Sequence, residues 1–198
     1  MKSSNTINDN RQRVVEVAKN IFSRKGFSAV GLNEILTAAG VPKGSFYYYF
    51  ASKEEFGTLM LEDYFTCYLE AMEELLGAGQ DAAQAMMNYW QSWTATNEDN
   101  IPKGYQCLAV KLGAEVSDLS EPMRLALEQG TTRIVRRLAV QLERMVAENS
   151  FVPPPEGCLV FAGALYQLWL GASLMGKMTG SLSPLASAMP LTKRLLQL

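Results

Sequence analysis

A dense group of hydrogen-bonding side chains occupies residues 43–49, where the chain reads KGSFYYY. Phe46 and Phe50 are spaced i, i+4, so a helix through this stretch can bury both phenyl rings on one face. Lysine binds guanine O6 and N7 or a phosphate, serine binds either, and tyrosine hydroxyls bind mainly phosphates. The stretch therefore predicts a helix that enters a DNA groove. The residues that point outward or sideways from it are Lys43, Gly44, Ser45, Tyr47, Tyr48 and Tyr49.

Two further features bear on how this helix would meet DNA. Gly44 carries no side chain and so lets the helix come close to the groove. Lys53 follows in the first turn of the next helix, where Ser52 and Glu55 form a capping box and a phosphate would also meet free backbone N–H groups. The alternative for the three tyrosines is that one of them belongs largely to the core, and Tyr48 is then the expected one.

A second candidate for chemistry is the thiol of Cys107, which the sequence places at the beginning of a helix with Lys111 one turn later. A thiol near a helix N-terminus and a cation can have a lowered pKa, and the thiolate is the reactive nucleophile. The alternative is a buried and inert cysteine. Cys67 and Cys158 fall on predicted apolar faces, so we expect both in the core.

The content of cysteine and histidine argues against several other kinds of site. Three widely spaced cysteines do not make a disulfide framework, and they fit a reducing cytoplasm. The chain has no histidine, which argues against a structural zinc site. It also has no Gly-rich phosphate loop and no convincing nucleophile–base pair, so we expect neither an enzyme nor a bound cofactor.

The elements that must position residues 43–49 form a helix-turn-helix. Leu32, Ile35 and Leu36 fall on one face of a short helix. Gly40 then supplies the left-handed turn, and Pro42 stands where a second helix can begin without losing a hydrogen bond. A first helix over residues 9–25 would hold this pair in place.

Apolar periodicity along the 198-residue chain predicts nine helices and no strand. The expected fold is all-α, with a three-helix head in residues 1–52 and a six-helix body in residues 53–198. Body helices are expected at residues 52–76, 81–95, 105–116, 121–148, 156–178 and 184–196. Residues 1–56 hold eight Lys and Arg against five Asp and Glu, and the remainder holds ten against fifteen. The basic excess therefore lies on the head, where DNA is expected.

The stretch over residues 158–176 carries no charge and is nearly as long as a transmembrane helix. No basic cluster flanks it and glycines interrupt it, so we expect a buried helix and no membrane. The preferred interpretation is an interface between two copies of the chain, and the alternative is the centre of a monomer core. Small residues would permit close approach and large ones would supply buried area: Gly163, Ala164, Gly171 and Ala172, with Leu165, Leu168 and Trp169.

The run VPKGSFYYYF at residues 41–50, followed by SKEE at residues 52–55, resembles the signature of the TetR family of bacterial repressors. The family often has His where this chain has Tyr49. The resemblance implies DNA contacts at the outward residues already named, with Lys53 on a phosphate. It also implies a homodimer on an inverted-repeat operator, and a body pocket for a small-molecule inducer. The aromatic candidates for that pocket are Trp90, Trp93, Tyr166 and Trp169.

Residues 104–124, residues 166–171 and Lys177 resemble the NemR-type subgroup of this family, whose members sense reactive electrophiles and oxidants through a cysteine. The resemblance implies a repressor that leaves its operator when Cys107 is modified. Lys177 is either a partner of Cys107 or a cation favoured by the dipole at a helix C-terminus. The rival hypothesis is the same repressor fold responding to a non-covalent apolar or aromatic ligand.

Overall fold

The computed structural model describes residues 2–77, 81–98 and 100–198, with side chains described from residue 9 onward. Within these ranges the chain is all-α, which confirms the predicted fold class, and the one β-type contact is an isolated bridge between Thr96 and Pro102. The helices are α1 (Lys2–Lys25), α2 (Leu32–Ala39), α3 (Lys43–Tyr49), α4 (Lys53–Leu76), α5 (Ala82–Ser92), α6 (Leu108–Ser117), α7 (Glu121–Ala147), α8 (Gly157–Thr179) and α9 (Ser183–Leu195).

The head is built by local signals that act as predicted. Gly40 adopts a left-handed backbone with φ 63°, and its N–H caps the end of α2 on the carbonyl groups of Leu36 and Thr37. Phe46 and Phe50 are buried with Phe56, and the ring centroids of Phe50 and Phe56 lie 4.7 Å apart. The aromatic cluster therefore fixes α3 against the beginning of α4.

The capping box at the head–body junction forms with one shift in register. The Ser52 hydroxyl accepts the N–H of Glu55 at 3.0 Å, as predicted. The Glu55 carboxylate accepts the backbone N–H of Ala51 at 2.5 Å, one residue before the capping serine. Two backbone N–H groups at the beginning of α4 thereby have side-chain acceptors.

The buried face of α4 differs from the predicted one. The periodicity of residues 52–76 predicts Cys67 and Ala71 on the buried face, but both are exposed. The buried side chains of this part of α4 are instead Phe65 and Met72. Gly130 of α7 explains this choice, because it lets the Phe65 ring lie so close that a Cβ would overlap it. The partner helix, rather than the periodicity of α4, selected which apolar stripe is buried.

Three other predictions about the helices need correction. The first helix begins at Lys2, where residue 9 was expected. The helix expected from residue 105 begins at Leu108, because a 3₁₀ helix (Lys103–Gln106) precedes it. The periodicity of residues 121–148 predicts Leu125 inside, but it is 38% exposed, because the inward stripe of α7 passes through Met123 and Leu127.

The apolar helix α8 has two different faces. Leu165, Trp169 and Ala172, predicted as interface residues, are buried within their own chain. The opposite face leaves a continuous stripe open to solvent: Val160, Ala164, Gln167, Gly171, Leu174, Met175 and Met178. By length and composition α8 could cross a membrane. Core helices of soluble proteins pass the same test, and one side of α8 is packed on its own chain.

Candidate DNA-binding surface and sensor cavity

Helix α3 presents a polar, phenol-rich face to solvent. Lys43 and Gly44 are exposed and Ser45 is half-buried. Tyr47 is 57% exposed and Tyr48 73%, so Tyr48 is not the core tyrosine that the alternative expected. The tyrosine that packs on the core is Tyr49, which lies three residues after Phe46 and therefore on its side of the helix.

Gly44 is not required by the packing of the head. A Cβ built at this position would meet nothing within 4 Å. Its backbone is helical, so a glycine costs about 0.5–1 kcal/mol of stability relative to alanine. That Gly44 lets α3 come close to a DNA groove stays a prediction.

Lys53 has a structural role that the sequence did not reveal. Its ammonium group donates to the Phe27 carbonyl oxygen at 2.8 Å and lies 4.3 Å from the centroid of the Phe27 ring. Burial lowers the pKa of Lys53, although the charge of Glu115 acts in the opposite direction. A phosphate contact by Lys53 stays a prediction. The ammonium group would then bind the phosphate and the Phe27 carbonyl oxygen of the loop between α1 and α2 at the same time.

Lys43→Ala and Lys53→Ala should weaken operator binding in different ways. Loss of a base contact at Lys43 should flatten the preference at one base position by roughly 1–3 kcal/mol. Loss of a phosphate contact at Lys53 should weaken all sequences alike and reduce the salt slope by about one. Binding of a set of single-base operator variants at several salt concentrations measures both effects, with thermal melting as the check on the head. Uniform weakening by both variants would make Lys43 a phosphate contact.

Helix α6 is tied to the head through a carboxylate that sequence reasoning missed. Glu115 accepts the backbone N–H of Phe27 at 3.0 Å and that of Ser28 at 2.6 Å. Burial would raise the pKa of Glu115, but these hydrogen bonds and the charge of Lys111 outweigh it and lower the pKa. No local pattern marks this contact, because about 90 residues separate the partners along the chain.

A cavity of about 290 Å³ lies between α4, α5 and the 3₁₀ helix. Four aromatic side chains form part of its walls, and so does Cys107. The hydroxyl groups of Tyr68 and Tyr89 are hydrogen-bonded at 2.8 Å. A space of this size with few polar groups suits a small apolar or aromatic molecule. The aromatic lining residues are Tyr64, Tyr68, Tyr89 and Trp93.

Cys107 is buried at the N-cap of α6, with 5% of its surface exposed. Burial raises the pKa of its thiol, and this outweighs the backbone N–H groups of Val110 and Ala109, the Tyr64 hydroxyl and the charge of Lys177, which all lower it. The expected lowering of the pKa is therefore wrong for this structure. The groups that would stabilise a thiolate are in place, but the dry surroundings dominate.

The other predicted sensor residues do not all meet at this cavity. Trp93 lines it, whereas Trp90 and Trp169 stack on each other in the core with ring centroids 5.1 Å apart. Tyr166 is buried and borders a different crevice, between α7 and α8. Lys111 and Lys177 line a separate crevice near the head.

Sequence reasoning also missed three of the four aromatic lining residues. Tyr64 and Tyr68 are spaced i, i+4 on α4 and so share one face, which was the available signal. Tyr89 comes from α5, and only the packing of the two helices brings it to the same space.

Two family models match the chain. Residues 14–56 match the model for bacterial regulatory proteins of the tetR family. Residues 79–191 match the model for the tetracyclin repressor-like C-terminal domain. The first match spans the helix-turn-helix, and the second spans the helices that enclose the cavity from α5 onward.

Individual proteins are similar over almost the whole chain. The HTH-type transcriptional repressor NemR of Escherichia coli strain K12 is 37% identical, and the alignment covers 98% of this chain and 97% of NemR. The transcriptional regulator AcuR of Cereibacter sphaeroides is 31% identical over 89% of this chain and 80% of AcuR. The crystal structure of the reduced form of E. coli NemR superposes with a TM-score of 0.87, covering 94% of this chain and 96% of that one.

Proposed function

The chain belongs to the tetR family of bacterial regulatory proteins and is a transcriptional repressor, and we propose that a reactive electrophile or oxidant releases it from its operator by modifying Cys107. The relatives are transcription regulators, in agreement with the expectation that the chain is not an enzyme. The proposal rests on one observation. Cys107 is the N-cap of α6, and Glu115 of the same helix accepts a backbone N–H of the head.

The route from thiol to head is short. Cys107 lies at the first end of α6 and Glu115 in its last turns, and the Glu115 carboxylate bonds the backbone of the loop between α1 and α2. A group larger than the free space beside the Cys107 sulfur overlaps the walls of the cavity, which include the N-cap of α6. Displacement of α6 relieves the overlap, and α6 cannot move without pulling on Phe27 and Ser28.

The modification works as a switch because the two arrangements of the head bind DNA with different affinity. A quinone illustrates the chemistry. The Cys107 thiolate attacks a ring carbon and a C–S bond forms. The π electrons of the attacked C=C bond shift to a quinone carbonyl oxygen, which takes the proton lost by the thiol. The raised pKa makes this reaction slow, so exposed thiols react first and Cys107 decides the outcome only once the reagent enters the cavity.

DNA binding requires two copies, and we infer that the exposed stripe of α8 joins them. Large apolar groups at both ends, at Val160 and Met178, flank the small residues Ala164 and Gly171. Small residues allow helices to approach closely, and an apolar face of this kind is typical of a protein interface. A two-fold dimer then reads an inverted repeat with half-sites about one helical turn, or a multiple, apart.

We place the boundary between the DNA-binding and sensing regions at residues 52 and 53, where Ser52 caps α4. We also place the protein in the cytoplasm, since its operator is there and its thiols are free.

A second candidate is a non-covalent inducer in the same cavity. The four aromatic side chains around a 290 Å³ space favour it, because such a lining binds apolar or aromatic molecules without a reaction. An inducer of this kind would release DNA from a chain whose Cys107 is replaced by serine.

Time-resolved mass spectrometry with a parallel operator-binding assay tests the proposal. After a brief exposure to a quinone, we expect the exposed Cys67 to gain mass first and Cys107 later. Release of operator should follow the fraction modified at Cys107, with no release during the Cys67 phase. Release that follows Cys67, or that precedes every mass change, would contradict sensing at Cys107.

A further inference from the structure

A crevice of about 520 Å³ separates the end of α1 from α6 and α8. The head contributes Ser23 and Arg24 to its wall, and the body contributes Lys111 and Lys177. Gln106 lines both this crevice and the Cys107 cavity, which makes the two spaces neighbours. None of the functions described above uses this crevice.

The charges around the crevice are unbalanced in the described part of the chain. Among its described lining residues the body supplies the two cations Lys111 and Lys177, and no carboxylate is among them. The Lys177 Nζ atom is buried and has no hydrogen-bond partner. The nearby charges that act on it there come from the Cys107 thiol and from the cation of Lys111. A buried ammonium group without an anionic partner is costly, and an anion in the crevice would remove that cost.

The wall beside Lys177 is closely built. Gly176 lies so near the Tyr105 ring that a side chain there would overlap it. The Tyr105 hydroxyl donates to the Ser181 carbonyl oxygen and so joins the 3₁₀ helix to the end of α8. Lys177 thus extends from a turn of α8 that packs tightly on the 3₁₀ helix.

We propose that this crevice binds a small organic anion, through a carboxylate or phosphate group held by Lys111 and Lys177 with a hydroxyl donor from Ser181. Lysine ammonium groups bind such oxyanions through charge-assisted hydrogen bonds. The remaining volume accepts a molecule larger than the bare ion, so the ligand is a metabolite-sized anion rather than chloride. The site is distinct from the Cys107 cavity, and binding there needs no reaction at Cys107.

Because its walls come from both head and body, the ligand acts on the head as well. An anion enclosed between the end of α1 and the two lysines binds the present arrangement better than one in which α1 has moved away. Occupancy therefore stabilises this arrangement of the head, and electrophiles should release the operator more slowly when the anion is bound.

Isothermal titration calorimetry of the full chain with inorganic phosphate and with malonate, at constant ionic strength in chloride, tests the site. We expect saturable binding of at least one probe. Lys177→Met and Lys111→Met should each weaken it about tenfold or more, because each removes a charged donor. Lys193→Met, which removes an exposed lysine of α9, should leave it unchanged.

Two results would overturn the inference: absence of saturable binding to the unmodified chain, or equal binding by the Lys111→Met and Lys193→Met variants. The Lys111 variant keeps the test valid if loss of Lys177 disturbs the fold. Titration of Cys107→Ser separates this site from the proposed sensor, since anion binding should persist there whether or not the electrophile response is lost.

Discussion

Cys107→Ser is expected to bind the operator as the unmodified chain does and to be insensitive to quinones and aldehydes. Serine keeps nearly the size of cysteine, so the N-cap of α6 and its packing survive. The hydroxyl group is not a nucleophile near neutral pH, so no bulky group is added at the buried site. We expect the reagent concentration for half-release to rise at least about tenfold. Operator release followed by fluorescence anisotropy measures it.

The matched controls are the two other cysteine variants. Cys67 is exposed on α4 and Cys158 is half-buried on α8, so neither group presses on α6 when modified. Cys67→Ser and Cys158→Ser should respond like the unmodified chain. Normal release by Cys107→Ser would leave the protein a repressor with a non-covalent inducer or with its sensor elsewhere.

The pH dependence of this response follows from the burial of the thiol. Burial raises the pKa of Cys107, so less thiolate is present at neutral pH than in an ordinary thiol of pKa about 8.5. The rate of modification should therefore still be rising at pH values where the rate for glutathione in the same buffer has levelled off. A rate for Cys107 that levels off at a lower pH than the rate for glutathione would mean that the thiol has a lowered pKa in solution.

Gly171→Glu is expected to separate the two copies of the chain and to abolish tight operator binding. Gly171 lies at the middle of the exposed stripe of α8, and a side chain there meets nothing within 4 Å of its own chain. The fold of the single chain should therefore be kept, while two carboxylates are forced together at the two-fold axis. A single chain offers only one α3 helix to the operator, so its affinity should be lower by about two orders of magnitude or more.

Sedimentation at micromolar concentration and operator titration measure the two effects. Gln84→Glu is the matched control, because it adds the same charge on the exposed face of α5 without a change of size. It should remain a dimer with unchanged affinity. A Gly171→Glu chain that still sediments as a dimer with normal operator affinity would place the interface elsewhere.

The features that the sequence alone determined are local ones. The i, i+3, i+4 spacing of Leu32, Ile35 and Leu36, the left-handed Gly40 and the phenyl pair of α3 involve partners within a few residues. Propensity and turn chemistry act over that same distance, so the helix-turn-helix could be predicted residue by residue. Even Tyr49 could have been chosen over Tyr48, since only Tyr49 falls on the Phe46 side of the helix.

Tertiary structure decided everything that depends on which surfaces meet. The close approach of Phe65 to Gly130 turned Cys67 to solvent, and the packing of α4 against α5 assembled the aromatic cavity. Spacing predicted a lowered pKa for Cys107, but burial raised it, because desolvation depends on neighbours from other elements. The bond from Glu115 to the head has the same origin. Contacts between distant segments follow from the shape of a completed core, which no local pattern encodes.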